Sequence, residues 1–234
     1  LNLMHKFQSA MHECAEVLDE LSGIDRGIVS VGVVSTARYF APTVLATFNR
    51  QNPQVKLQLQ VGNRETTIKK LESLELDFAV TGLPPAHFEV VSEYIGEHPQ
   101  IIIAPPDHEF AKAPMMLLAA LKTQTFLFRE PGSGTRSLTD KFFSDNHFTP
   151  ASGLEFGSNE TIKQAVMAGM GIAVISAHTV AAELESKRLI SLKLKGLPIT
   201  RKWFVVKHKN KRLMPSALAL WEFFIHSGKN FLPL

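Results

Sequence analysis

Phe126-Leu127-Phe128-Arg129-Glu130-Pro131-Gly132-Ser133-Gly134-Thr135-Arg136 is the stretch on which the fold turns. An apolar run stops at a charge pair, and a Pro-Gly-Ser-Gly-Thr loop follows. Ser137 to Phe148 then reads as an amphipathic helix with Leu138, Phe142 and Phe143 on one side. Strand, Gly-rich turn, helix is an arrangement that aims backbone N–H groups and a positive helix end at one point. The hydroxyls of Ser133 and Thr135 and the fork-shaped cation of Arg136 suit a small anion.

Working outward, the same alternation recurs. Gly27 to Val34 is a β-branched run, hence a strand buried on both faces. A helix is predicted from Tyr39 to Asn49, a strand over Val55 to Val61, a helix over Thr66 to Leu76 and a strand over Phe78 to Thr81. Elements alternating at this size indicate a parallel sheet with right-handed crossovers. Val90 to Ile95 and Gln100 to Ala104 read as two strands separated by His98-Pro99, and Met115 to Leu121 as a short helix. Beyond the opening motif come a strand at Leu154 to Phe156, a helix from Asn159 to Ala168, a strand over Ile172 to Ser176 and a helix from Ala177 to Glu185. A strand over Ile199 to Val206 and a helix from Ser216 to Ile225 close the chain.

A weak repeat ties the halves together. Thr67-Ile68-Lys69-Lys70-Leu71 and Asp77-Phe78-Ala79-Val80 lie without a gap over Thr161-Ile162-Lys163-Gln164-Ala165 and Gly171-Ile172-Ala173-Val174. With the repeated element order, this implies two like-folded α/β subdomains, and pairs of that kind act through the cleft they form.

The first residues differ from the rest. Leu3, Phe7, Ala10, Cys14, Val17 and Leu21 recur at steps of four and three, an a/d seam that Ser22-Gly23 ends. An amphipathic helix on the domain behind it and a coiled-coil segment for self-association fit this pattern equally. Cys14 sits on the seam as a small apolar residue, and His5 and His12, one heptad apart, read as solvated helix face.

Composition limits the partners. The 234 residues carry a net charge of +3 and a pI near 9.0, far from the dense basic stripe of a nucleic-acid surface. A single cysteine rules out an internal disulfide and favours a reducing, cytoplasmic setting. No apolar run approaches the roughly 20 residues that span a bilayer, so no membrane is expected.

In parallel α/β sheets, ligands sit at the carboxyl ends of strands, near helix N-termini. That rule selects Ser35 and Thr36, Thr81 with Gly82, the loop of Glu130, Gly132, Ser133, Gly134, Thr135 and Arg136, and Ser158 with Asn159; Arg64 after Gly62-Asn63 is a weaker addition. Each also has a plainer reading. Ser35, Thr36, Ser133, Thr135 and Ser158 are all good helix caps, and Arg129 pairs readily with Glu130. Arg136 in a first helical turn opposes the helix dipole, which a bound anion offsets. As a set, the loops favour a ligand site.

Catalysis, metals and cofactors find no support. The third glycine of a dinucleotide fingerprint is replaced by Ser137, and Gly132-Ser133-Gly134 is too tight for a nucleophile elbow. His-Glu-x-x-His and Cys-x-x-Cys are absent, and the nine histidines are scattered. Binding is the economical reading: no enzyme, no catalytic residues, no metal ligands, no cofactor.

The seam helix, then Arg26-Gly27-Ile28-Val29-Ser30-Val31-Gly32, then two α/β halves, resembles the C-terminal portion of a LysR-type transcriptional regulator over essentially the whole chain. Phe126 to Arg136, Gly157-Ser158-Asn159-Glu160-Thr161-Ile162-Lys163-Gln164-Ala165-Val166-Met167-Ala168-Gly169-Met170-Gly171-Ile172 and Leu197-Pro198-Ile199 are similar to the branch that regulates carbon-fixation (RuBisCO operon) genes. The resemblance implies two Rossmann-like subdomains of the type 2 periplasmic-binding-protein kind joined by two crossover strands. It implies a dimerising linker helix over 1–23, subdomain I over 24–100 plus 204–227, and subdomain II over 101–203. A phosphorylated or otherwise anionic effector is implied between the subdomains, near Ser35, Thr36, Thr81, Ser133, Thr135, Arg136 and Asn159. Further implications are a homodimer or tetramer, and DNA contact only through a winged helix-turn-helix ahead of Leu1. One departure stands out: the branch has an Arg between Gly82 and Pro84, and this chain has Leu83. Two other functions share the scaffold: a periplasmic solute-binding receptor, and a transferase or dehydratase using Glu130 and Glu160.

Overall fold

The computed structural model describes residues 27–233, together with Met4, Lys6, Phe7, Ala10 and Met11. Apart from those five, which are helical and exposed, the predicted seam helix lies outside the described residues. The chain divides into two compact units, one ending at Gly96 and resuming over Lys202–Leu232, the other spanning Glu97–Arg201. The chain passes from one to the other in mid-strand each time.

The first unit begins with β1 (Ile28–Val34), followed by a 3-10 turn, Ser35–Tyr39, and α1 (Ala41–Gln51). The single helix expected from Tyr39 to Asn49 is therefore two elements. Pro42 explains the break, because it has no N–H to continue the turn and its fixed φ suits the first residues of a new helix. β2 (Lys56–Gly62), α2 (Arg64–Glu72) and β3 (Phe78–Thr81) complete the predicted series. β1 lies between β2 and β3, parallel to both. Val29, Val31 and Val33 point to one face and pack with Val44 and Phe48 of α1. Ile68 and Leu71 of α2 pack on the opposite face with Leu76 and Ala79.

β4 (Val90–Ala104) carries the chain into the second unit as one strand, where two were expected around His98-Pro99. Pro99 is tolerated because the ladder with the later strand at 173–176 starts one residue beyond it, at Gln100. In place of the Met115–Leu121 helix there is a bridge from Met116 to Leu194 and a 3-10 turn, Leu118–Leu121. β5 (Thr125–Arg129) pairs in parallel with β6 (Ser152–Phe156). α3 (Gly134–Asp145) lies between them in sequence and α4 (Asn159–Met167) follows. α3 starts three residues earlier than Ser137, inside the Gly-rich turn, because Ser133 rather than a later hydroxyl supplies the cap. β7 (Ala173–Ser176) runs antiparallel to β4, with Gln100 opposite Ser176 and Ile102 opposite Val174. The predicted helix over 177–185 splits into a 3-10 turn, Ala177–Thr179, and α5 (Ala181–Glu185), which turns His178 and Thr179 inward. β8 (Ile190–Ser191), unforeseen in the sequence, also pairs with β4.

Around these strands, Phe126, Phe142 and Phe143 pack with Ile102 and Val174 on one face, and Ile162 and Val166 of α4 with Ile103 and Ile175 on the other. β9 (Ile199–His208) returns to the first unit, pairs antiparallel with β3 and places Trp203 against Phe40, rings 5.2 Å apart. α6 (Pro215–Ser227) adds Leu220, Trp221 and Phe224 to the core that holds α1.

The sequence repeat is a structural repeat, shifted by one residue. α2 is capped by Asn63, whose Oδ1 accepts from Thr66 N, and α4 by Ser158, whose Oγ accepts from Thr161 N. Each helix then leads to a fully buried four-residue strand. In the second copy Gly171 makes a close approach possible. A Cβ there would lie 2.3 Å from the Thr125 carbonyl oxygen, at a φ of +157°. That carbonyl accepts from Ile172 N at 2.9 Å, which seats β5 beside β7. Gly171→Ala is expected to lower stability by about 2–3 kcal/mol through strain and lost pairing. Gly157→Ala, with nothing within 4 Å of the new Cβ, is expected to change it by no more than about 0.5 kcal/mol. Urea unfolding followed by circular dichroism compares the two.

Candidate functional site

In the second unit the carboxyl ends of β5 and β6 lie side by side, because Arg129 is the register partner of Phe156. Glu130 N extends that contact, donating to Phe156 O at 3.2 Å. The helices that follow, α3 and α4, therefore start next to each other. Gly132, at a φ of +84°, turns the chain so that Ser133 caps α3, its Oγ accepting from Thr135 N at 3.3 Å. Ser133 and Thr135 are both buried.

Beneath this turn is Arg129, only 3% exposed. Its guanidinium grips Glu130 with both forks, Nε to Oε2 at 2.7 Å and Nη2 to Oε1 at 2.8 Å. Nη1 donates to Oδ1 of Asn159, the first residue of α4. This fixes the amide flip: with Oδ1 held by a cation, Nδ2 must point the other way. Asn159 is 3% exposed, and its Nδ2 has no hydrogen-bond partner among the described residues. A buried donor at a helix N-terminus is placed for an acceptor, and the field there favours a negative one. The Glu130 carboxylate, a poor neighbour for an anion, is neutralised by the same Arg129.

Arg136 has a different role from the one expected. Its Nε donates to both Asp140 oxygens at 3.0 Å, and its Nη1 to Glu155 at 2.9 Å and to the Arg129 carbonyl at 2.9 Å. The guanidinium also lies 5.2 Å from the centre of the Phe128 ring. Burial lowers its pKa, but the bonds to Glu155 and Asp140 outweigh that and raise it on balance. The unfavourable dipole position is thus offset by carboxylates of the protein, and no bound anion is needed to explain it. Ser158 also follows its plainer reading, since its hydroxyl caps α4. Ser35 and Thr36 do not cap: they lie in the 3-10 turn after β1, and the residues preceding that turn and α1 are Val34 and Phe40.

In the first unit, the Thr81 hydroxyl is tied into its own turn, accepting from Leu83 N at 3.4 Å and donating to Leu83 O at 3.3 Å. Arg64, at the start of α2, reaches the same turn, Nε to Leu83 O at 3.3 Å and Nη2 to Pro84 O at 3.4 Å. Its partial burial pulls the pKa below the ordinary guanidinium value. A cation therefore stands beside position 83, where Leu83 is exposed.

Two features escaped the sequence reading. Arg129 reads in the sequence as one of the cations near the loops and as a partner for Glu130, but nothing in one dimension shows that Asn159 lies within its reach. The carboxyl end of β7 was passed over because Ala177 to Thr179 read as the start of a helix. His98 and His178 face each other there, ring centres 5.9 Å apart, and their sequence neighbours Gln100, Ser176 and Thr179 are buried too. Burial holds His98 well below the ordinary imidazole range, helped by the charges of His178 and Arg201. Burial alone holds His178 down at about 4. Among the described residues, no group of three or more His, Cys, Asp or Glu is arranged for a metal, and no helix is long and apolar enough to cross a membrane.

Comparison with known proteins agrees with this layout. The family model described as LysR substrate binding domain matches residues 22–228. The chain belongs to this family. It is 45% identical to the HTH-type transcriptional regulator CbbR of Xanthobacter flavus over 235 residues, covering 100% of this chain and 71% of that protein. It is 41% identical to the RuBisCO operon transcriptional regulator of Allochromatium vinosum, covering 92% and 72%. Among solved structures, the regulatory domain of Synechocystis PCC6803 CcmR in complex with 2-PG superposes with a TM-score of 0.84 at 32% identity, covering 88% of this chain and 99% of that one. The effector binding domain of QuiR in complex with shikimate shares the fold, with a TM-score of 0.78 at 17% identity and coverage of 88% and 98%. The chain is thus the effector-binding domain of a LysR-type regulator, with the type 2 periplasmic-binding-protein fold. Its relatives are regulators, which decides against an enzyme and against the solute receptor.

Two outcomes follow for this LysR domain. The histidines have folded pKa values below the unfolded 6.5, so the unfolded state binds more protons and stability rises with pH through that window. Unfolding free energy should therefore drop between pH 7 and pH 5, and His98→Gln/His178→Gln should flatten the slope in urea titrations. Arg136→Ala should cost about 1 kcal/mol of stability through its lost ion pairs, detectable as a lower Tm.

Proposed function

We propose that this domain senses a small anionic metabolite, phosphorylated or carboxylated, and that Asn159 is its central hydrogen-bond donor. The observation that carries this reading is the Asn159 amide: buried, oriented by Arg129, and with its Nδ2 left to donate. Gly132, Ser133, Gly134 and Thr135 support it with the N-terminal backbone of α3, and Ser158 by shaping the start of α4. From the first unit, Ser35, Thr36, Thr81 and Arg64 occupy the carboxyl ends of β1, β3 and β2, the positions where α/β sheets bind ligands. Glu130 contributes by neutralising Arg129, and Arg136 by bracing α3.

Arg64 bears on the missing arginine at position 83. Its guanidinium is hydrogen-bonded to the Leu83 carbonyl, so positive charge at this turn comes from α2 instead of from the turn itself. The kinship with CbbR and with the RuBisCO operon regulator points to carbon-fixation genes as the target. The 2-PG complex of the CcmR domain points to a phosphorylated effector. Signal transmission is proposed to run through a homodimer or tetramer to a helix-turn-helix domain, in the cytoplasm. The seam pattern of residues 3–21 supports this, as does the exposure of its member Phe7.

Isothermal titration with 2-PG tests the site. Asn159→Ala is expected to weaken binding by about ten- to a hundred-fold, the scale of a hydrogen bond to a charged group. Asn159→Asp should weaken it further by adding a negative charge. Unaltered affinity in both variants would remove Asn159 from the site, and a strict monomer in ultracentrifugation at high concentration would sink the oligomeric relay.

A further inference from the structure

On the face of β4 and β7 that packs against the phenylalanines of α3, the pairs change character along the ladder. Ile102 opposite Val174 belongs to the core. The next pair on that face is Gln100 opposite Ser176, and the same spacing then sets His98 against His178. Thr179 follows in the 3-10 turn. A face that begins as core thus ends in four polar side chains, with Thr179 next in the turn, and all five are buried. Ser176 Oγ, in a residue with 0% exposure, and Thr179 Oγ1, in one with 2%, have no hydrogen-bond partner among the described residues. A buried hydroxyl left without a hydrogen bond has lost its water and gained nothing in exchange. Core positions of this kind hold Val or Ala unless something uses the hydroxyl.

We infer that this polar ladder end is a ligand subsite for the uncharged, hydroxyl-bearing part of the effector, an inference that rests on the anion site proposed above. Its position fits. Arg201 donates through Nη1 to the carbonyl of Gly134, the first residue of α3, at 3.2 Å, and its charge acts on His98. Arg201 therefore links the helix start proposed to hold the anion with the ladder end. Its chemistry fits as well. Among the charged and titratable groups that act on His98 are His178 and Arg201, both of which oppose a positive charge there. Each of the two hydroxyls, of Ser176 and of Thr179, can both donate and accept. Such a set matches ligand hydroxyls, which also do both. A ligand with methyl or methylene groups there would leave the same protein atoms dry. The selected class is a small anion carrying hydroxyls at its other end, in preference to its deoxy counterpart.

The test uses two phosphates that differ only in their hydroxyls, glycerol 3-phosphate and n-propyl phosphate, with inorganic phosphate as a third probe. Each is titrated calorimetrically into the 234-residue chain. Wild type is expected to prefer glycerol 3-phosphate by about ten-fold, the worth of one to two neutral hydrogen bonds. Ser176→Ala/Thr179→Val, which removes both hydroxyls at nearly constant volume, should bring that preference below about two-fold. Ser176→Ala alone, expected to reduce it partway, serves if the double variant does not fold. Equal affinities in wild type, or a preference that survives the substitutions, would overturn the subsite and leave the anion site standing. Binding of none of the three phosphates would overturn the anion site and the subsite together.

Discussion

Arg129 is the constraint on which the loops at the carboxyl ends of β5 and β6 depend. A guanidinium removed from water is tolerable only when its donors are used, and here Glu130 takes two forks and Asn159 another. The arrangement joins two loops far apart in sequence, because Glu130 opens one and Asn159 closes the other. The Arg129 carbonyl is also in use, accepting from Arg136 on the first turn of α3. One residue thus sets the carboxylate, the amide and the helix start in fixed relation. A lysine in its place would carry the charge but not the planar fork.

The two units solve the same problem with different residues. α2 and α4 each start at a short polar cap and feed a buried strand. In the first unit the nearby cation, Arg64, grips backbone carbonyls of the neighbouring turn. In the second, Arg129 grips side chains. The repeat has changed residue type while keeping burial at one core position. Where α2 buries Ile68, α4 has Lys163 at the equivalent place, buried between Glu160 and Glu183.

Elements with a clear period were legible from residues alone. β1, β3, β5 and β7, and the order of helices between them, follow directly from β-branched runs and apolar spacing. What was lost belongs to two physical situations. Where a hydroxyl was available at more than one position, as at Ser133 and Thr135, spacing did not settle which one capped, and α3 started earlier than expected. Where a strand was held by partners distant in sequence, local breakers misled, so Pro99 suggested a gap in β4 that pairing with β7 does not require. The site followed the same division. The loops at strand ends were legible because topology places them there. The direction of Arg136, the reach of Arg129 and the inward turn of His178 depend on contacts with no sequence period, and only the three-dimensional arrangement reveals them.

β6 gives the Arg136–Glu155 pair a second meaning. Four of the five β6 residues are exposed, Leu154 among them, and β5 is the strand it pairs with among the described residues. An outer strand of this kind offers unpaired backbone to any other chain in extended form, and proteins guard against such pairing by stationing charge along the border. Glu155 is that charge, and Arg136 holds it in place. The arginine that looked like a hand for a metabolite is, in this setting, a sentry against aggregation. The first turn of α3 therefore guards an outer strand as well as opening its own helix.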